Sequence, residues 1–264
     1  MGNKPEEAKV PDWVKDLDLG RTVENVLMGT VLFVGRYFAT HTHLLFKPTN
    51  IEADVLSITD YKDRLKLSYV RPLVFFALSA FIAIAFSQKA LGGIAYVEWI
   101  FDRYPFLSSS VNTKIDKFSL AKSLALMIPL IFVVSFYANI SLKVFSRLGI
   151  DTFFKQHLSI CAYISGSLLL AESFASNFEM HLWGEPGVEN WFDDSLRPVI
   201  GIIGMLLGAG WGALALYRHF YFYKRTFKLK NWQSVLYPTL CFIVFWVLFG
   251  VLLFSIDPFL QSLD

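Results

Sequence analysis

The side chains with chemistry in reach are few, and Glu172 stands apart among them. It is the one ionisable residue inside an apolar run from about His157 to Phe178. A carboxylate there costs several kcal/mol unless it is protonated, paired or wet, so it is a default candidate for handling an ion or polar solute. It lies some fifteen residues along an outward-running helix, near the outer interface, where water is at hand. Asn139, in the uncharged run Ser123 to Leu142, is a weaker polar candidate. Pro129 in that run and Pro238 in a later one fit helix kinks for packing. His41 and His43 are two apart, so on a helix they lie about 200° apart around the axis and cannot share an ion. His181 and Glu185 sit four apart among Glu179, Glu189, Asp193 and Asp194. Pro186 and two flanking glycines argue against a helical site there, and a solvated acidic loop is the simpler reading. No metal site and no cofactor are expected.

Hydrolytic chemistry finds no complete set. Arg64, six residues and Arg71-Pro72 approach the phosphate-holding motif of membrane lipid phosphatases. The proton donor and nucleophile are missing, since Ser146-Arg147 reaches His157 too late, and a phosphate clamp alone cannot split an ester. Ser165 and Ser167 flank Gly166, but no histidine within a span is expected to pair with either serine at depth. The chain is therefore read as having no catalytic residues.

The sharpest local pattern is Gly201, Gly204, Gly208 and Gly212, with Ala209 and Ala213 beside them. Small residues four apart give one helix face a smooth strip that another helix can approach to backbone contact. A neighbouring helix of the same chain is favoured over a subunit interface.

The elements that must position these residues are membrane helices. Hydrophobic residues make up 55% of the 264-residue chain, aromatics 17%, and mean hydropathy is +0.47. These values exceed what a soluble core requires. A net charge of +2 is too small to imply a nucleic-acid partner, and the basic residues flank apolar runs, where anionic headgroups are their natural partners. Cys161 and Cys241 both fall inside such runs and read as small buried hydrophobes. The tail from Met1 to Leu19 has no apolar segment that would make it a secretory signal.

Crossing ~30 Å of hydrocarbon takes roughly 20 mostly uncharged residues. Five runs qualify: Pro72 to about Gln88, continuing apolar through Tyr96; Ser123 to Leu142; His157 to Phe178; Pro198 to Tyr217; and Gln233 to Ile256. Continuous rather than alternating apolarity excludes barrel strands. Eighteen Lys and Arg fall on one side of these spans and six on the other, so the first side, N-terminus included, is expected to be cytoplasmic and the C-terminus outside. Between Arg21 and Phe46 the apolar residues recur at helical spacing, with Glu24 and Arg36 set against them. That pattern predicts an interfacial amphipathic helix. Val26 to Gly35 is uncharged and can insert shallowly, but ten residues cannot cross the bilayer. The expected fold is thus an all-α integral membrane protein, a bundle of five transmembrane helices preceded by an N-terminal interfacial helix. It divides into a polar tail (1–20), an interfacial helix with connector (21–71) and the transmembrane domain (72–264).

Leu44-Leu45-Phe46-Lys47-Pro48, a polar connector, and Tyr69-Val70-Arg71-Pro72-Leu73 opening the first of five spans resemble the bacterial branch of the Yip-domain membrane proteins. Pattern carries the resemblance over Val23 to Phe86, and span count alone carries it beyond. It implies a five-pass protein of the bacterial inner (cytoplasmic) membrane. The eukaryotic members bind Rab GTPases and shape secretory membranes, but their Asp-Leu-Tyr-Gly-type motif is absent, which takes Rab binding out of the expectation. What remains is a non-enzymatic protein that organises other membrane components. Its partners would be the lipid bilayer and either other membrane proteins or further copies of itself. The alternative is a transporter or pore-forming subunit, which would need a polar path through the spans.

Overall fold

The computed structural model describes residues 19–51, 69–86, 120–183 and 196–261. Every regular element among them is helical: α1 (Leu19–Phe46), α2 (Pro48–Ile51), α3 (Pro72–Phe86), α4 (Leu120–Arg147), α5 (Phe154–Trp183), α6 (Arg197–Thr226) and α7 (Asn231–Gln261). Helix is the form an apolar chain takes in hydrocarbon, because each backbone N–H and C=O is satisfied within its own segment. Four helices carry stretches long and apolar enough to cross a membrane: Met127–Arg147, Phe154–Glu179, Pro198–Thr226 and Asn231–Leu252. The first expected span is helical and apolar over its described 15 residues, Pro72–Phe86, too few to cross by themselves. Its expected continuation towards Tyr96 lies outside the described residues. So do most of the polar tail, the connector between α2 and Tyr69, and the outer loop bearing Glu185, Glu189, Asp193 and Asp194.

α5 is the centre of the bundle. Of its spanning stretch 56% is buried inside the protein, against 28% for α4, 22% for α6 and 17% for α7. It packs on α6 along one side, on α3 along another and on α4 along a third. The outer faces of α6 and α7 are apolar and exposed, through Ile202, Ile203, Leu206 and Leu207 on one and Val235, Phe242, Ile243 and Val247 on the other. A chain whose centre is closed and whose rim is this apolar has a lipid-facing rim.

Two tight turns set the antiparallel order of the last four helices. After α4, Gly149 adopts φ +72°, Ile150 N–H donates to the Phe145 carbonyl at 3.0 Å and Gly149 N–H to that of Ser146 at 3.1 Å. This is a Schellman closure in which a left-handed residue satisfies the orphan carbonyls of the last turn. After α6, Lys228 takes the same role at φ 52°, with Leu229 N–H bonded to the Lys224 carbonyl at 3.0 Å. The next helix opens with the Gln233 side chain accepting from Lys230 N–H at 2.9 Å, half of a capping box.

Candidate functional site

The glycine strip lies against α5 of the same chain. A Cβ on Gly204 would overlap the Phe178 ring. On Gly208 it would stand 2.6 Å from the Ala175 Cβ and 3.0 Å from that residue's backbone, and on Gly212 it would just touch Ala171 at 4.0 Å. Ascending glycines on α6 meet descending Phe178, Ala175 and Ala171 on α5, the meshing of two antiparallel helices. Gly201 is buried one turn above Gly204. By contrast Gly210, on the opposite face, has open space around it.

This close approach leaves a groove beside the seam. A cavity of about 360 Å³, open along one side, is lined by Leu168, Ala171, Glu172, Ala175 and Glu179 from α5 and by Met205, Gly208, Ala209 and Gly212 from α6. Glu172 and Glu179 are exposed and seven residues apart, two turns along one face. Small side chains form the floor, carboxylates stand at the edge, and the opening faces sideways out of the bundle. Such a groove can admit a helix, an acyl chain or a polar group that pairs with an acid.

Asn139 takes no part in it. Its side-chain amide donates back to the Ser135 carbonyl one turn earlier at 3.1 Å, on an exposed face of α4. The two polar candidates therefore do not form one site. His43 is tied by Nδ1 to the Tyr69 hydroxyl at 2.6 Å, and His41 points elsewhere. Among the described residues no three His, Cys, Asp or Glu are placed to hold a metal ion.

A histidine does reach one of the two serines, and it comes from α1. His41 Nε2 lies 3.4 Å from Ser167 Oγ, and the Trp211 indole N–H donates to the same oxygen at 3.0 Å. His41 and Ser167 are 126 residues apart in sequence, so no local spacing pairs them. The triad is no hydrolase centre: Ser167 is fully buried, and its oxygen is already engaged by two neighbours. Its effect is to fasten α1, α5 and α6 together.

A second polar cluster, invisible in the sequence, lies towards the other end of the bundle. Four helices each contribute a pair close together on one face: Tyr137 and Ser141 from α4, His157 and Cys161 from α5, His219 and Tyr223 from α6, Pro238 and Cys241 from α7. The Tyr137 hydroxyl is 3.4 Å from His219 Nε2 and 3.4 Å from the Pro238 carbonyl. The Tyr223 hydroxyl is 3.4 Å from His157 Nδ1 and 4.0 Å from Cys161 Sγ. Phe145 and Phe227 close the cluster, with the Phe227 ring stacked on His157 at 4.7 Å between centroids. Among the described residues, Ser141 Oγ, His157 Nε2 and His219 Nδ1 are buried and find no partner. Buried polar atoms of this kind are where proteins accommodate ordered internal waters. In sequence only Tyr137/Ser141, His157/Cys161 and His219/Tyr223 share a four-residue spacing, and nothing local joins the three pairs.

In comparison with known proteins, no family model, no curated protein and no solved structure matches the chain.

Proposed function

We propose that the protein is a non-enzymatic, multipass organiser of other membrane components in a bacterial cytoplasmic membrane, with the C-terminus outside. The observation that carries this reading is that the groove between α5 and α6 is open and that Glu172, Glu179 and Ala209 along it are exposed. A conducting site would turn its acid inward, towards a path through the bundle. Here Glu172 and Glu179 stand on the exposed side of α5. A floor of Gly208, Ala209 and Gly212 suits helix approach, and a carboxylate at the edge selects a partner that brings a donor or a positive charge. The Yip-like pattern around Leu44 to Pro48 and Tyr69 to Leu73 agrees with such a role.

The alternative, a transporter or pore-forming subunit, draws on the internal cluster around Tyr223, where polar atoms await partners. Cys161 and Glu172 are eleven residues apart on α5, about 16 Å of helix, and the residues between them that face inward include buried Ile164 and Ala171. The two polar regions thus belong to different levels and different sides of the bundle.

The test is a photo-crosslinking amino acid at Ala209, irradiated in native membranes, with the same residue at Val247 on the lipid-facing side of α7 as control. The organiser reading expects a discrete protein adduct from Ala209 and none from Val247. Lipid adducts alone at Ala209, together with a measurable ion flux in liposomes, would replace it with the alternative.

A further inference from the structure

The geometry points to α1 as a helix that crosses the bilayer, with Val31, Leu32, Val34 and Phe38 in contact with lipid acyl chains and the N-terminal tail on the side opposite Lys228. Three observations carry this. The first is depth. His41 meets Ser167 and Trp211, which lie roughly 20 Å along α5 from Phe154 and along α6 from Thr226 at 1.5 Å per residue. These contacts place His41 well inside the bundle's membrane layer. The second is direction. Tyr37 bonds Ser79 at 2.9 Å, His41 stacks on Phe75, Thr40 accepts from Val70 N–H at 2.9 Å, and the Leu45 carbonyl accepts from Arg218 Nε at 2.7 Å. From Tyr37 to His43 the partners of α1 descend from Ser79 through Phe75 to Tyr69, just before α3, while from His41 to Leu45 its partners on α6 climb from Trp211 to Arg218. It therefore runs antiparallel to α3 and parallel to α6, arriving at the face where α3 starts and α6 ends. Traced backwards from Tyr37, the 28-residue helix contains no proline, and the stretch to Leu19 extends about 27 Å further from that face.

The third is the character of that stretch. Residues 29–36 are exposed on every side of the helix, and Val31, Leu32, Phe33 and Val34 are four consecutive large apolar side chains covering a full turn. An interfacial helix keeps one polar face, whereas a helix apolar all round belongs in hydrocarbon. The lipid-facing belt of α6 and α7 has the same character. Arg36 resists this placement, and its long stem must carry the guanidinium along the helix to a polar neighbour or a headgroup. Glu24 comes at the far end, where headgroups lie. Hydropathy hides the crossing because Thr40, His41 and His43 lower the local average, although all three have polar partners within the protein. The tail that moves across holds three Lys against five acids. With it and Arg21 outside and Arg36 within the layer, thirteen Lys and Arg still flank the cytoplasmic face against ten on the other, so the orientation of the later spans stands.

The test uses the full chain in intact bacterial cells, where Cys161 and Cys241 are buried and silent. Asn3→Cys, Val188→Cys and Lys228→Cys are treated with a membrane-impermeant maleimide before and after permeabilisation. The expected result is that Asn3→Cys reacts on the same side as Val188→Cys and opposite to Lys228→Cys. Reaction on the side of Lys228→Cys overturns the crossing. In a second arm, a spin label at Leu32→Cys in reconstituted vesicles is expected to be relaxed by oxygen dissolved in acyl chains and untouched by an aqueous nickel complex. Relaxation by nickel, or shielding from both reagents by a second copy or other protein, overturns the lipid contact.

Discussion

Trp211 donates its indole N–H to Ser167 across 3.0 Å, joining the middle of α6 to the middle of α5, and His41 takes up the same oxygen from α1 at 3.4 Å. One hydroxyl thereby serves three helices. Ser167→Ala keeps the size of the site nearly constant but takes the shared acceptor from a part-buried indole N–H and a part-buried imidazole nitrogen. Each such loss costs about 1–3 kcal/mol. Ser167→Ala is expected to lower the unfolding midpoint in detergent and to make α1 more susceptible to proteolysis. Ser165→Ala, at a partly exposed neighbour, is expected to do neither. Equal midpoints for the two variants would deny the hydroxyl this role.

Gly208→Leu is expected to destabilise the bundle by about 1–3 kcal/mol or more, because even a Cβ at that position lies 2.6 Å from Ala175 and the contact includes backbone that cannot swing aside. Gly210→Leu has open space and is expected to be tolerated or mildly stabilising, leucine being the better helix former. Thermal unfolding of both variants in the same detergent decides the matter.

The four long spans were legible because an uninterrupted apolar run has few other uses at such length, and the glycine strip because its spacing matches a helix face. What escaped depends on pairs brought together only by packing. His43 and Tyr69 are 26 residues apart, His41 and Ser167 are 126, and no local window connects them. A polar residue satisfied in this way still counts against its helix on any hydropathy scale. For this reason α1 read as an amphipathic surface element although its C-terminal half is built into the core. The cluster around Tyr223 escaped for a related reason. Three polar pairs and the Pro238 carbonyl, on four helices, are unconnected in sequence until the turns at Gly149 and Lys228 bring their helices side by side.

Tyr223→Phe removes the hydroxyl that stands near both His157 and Cys161, so the cluster gains two further atoms without a partner. A cost of about 1–3 kcal/mol is expected, against no measurable change for Tyr217→Phe on the exposed face. Thiol reactivity supplies an internal readout. Cys161 and Cys241 are buried and free, so the native protein is expected to take up no maleimide while the denatured protein takes up two equivalents. Tyr223→Phe is expected to speed labelling in detergent by making local opening easier. Rapid labelling of the native wild type would contradict the closed cluster.

Glu172 separates the two functional readings, because they ask different things of the same carboxylate. An organiser needs a side chain of that shape at the groove edge, able to hydrogen-bond a partner helix. Glu172→Gln keeps shape and acceptor while removing the charge, and leaves Glu179 two turns away to complement a positive partner. A conductor needs the charge itself, either to concentrate cations or to carry a proton, and glutamine supplies neither. Wild type and Glu172→Gln are therefore compared in liposomes at matched protein content, with flux read by a potential-sensitive dye and partner capture read by the Ala209 crosslink in native membranes. The expected outcome is no flux from either protein and a crosslink that survives the substitution with at most a severalfold loss of yield. A wild-type current abolished by Glu172→Gln would transfer the groove from partner recognition to ion handling, and with it the whole assignment of function.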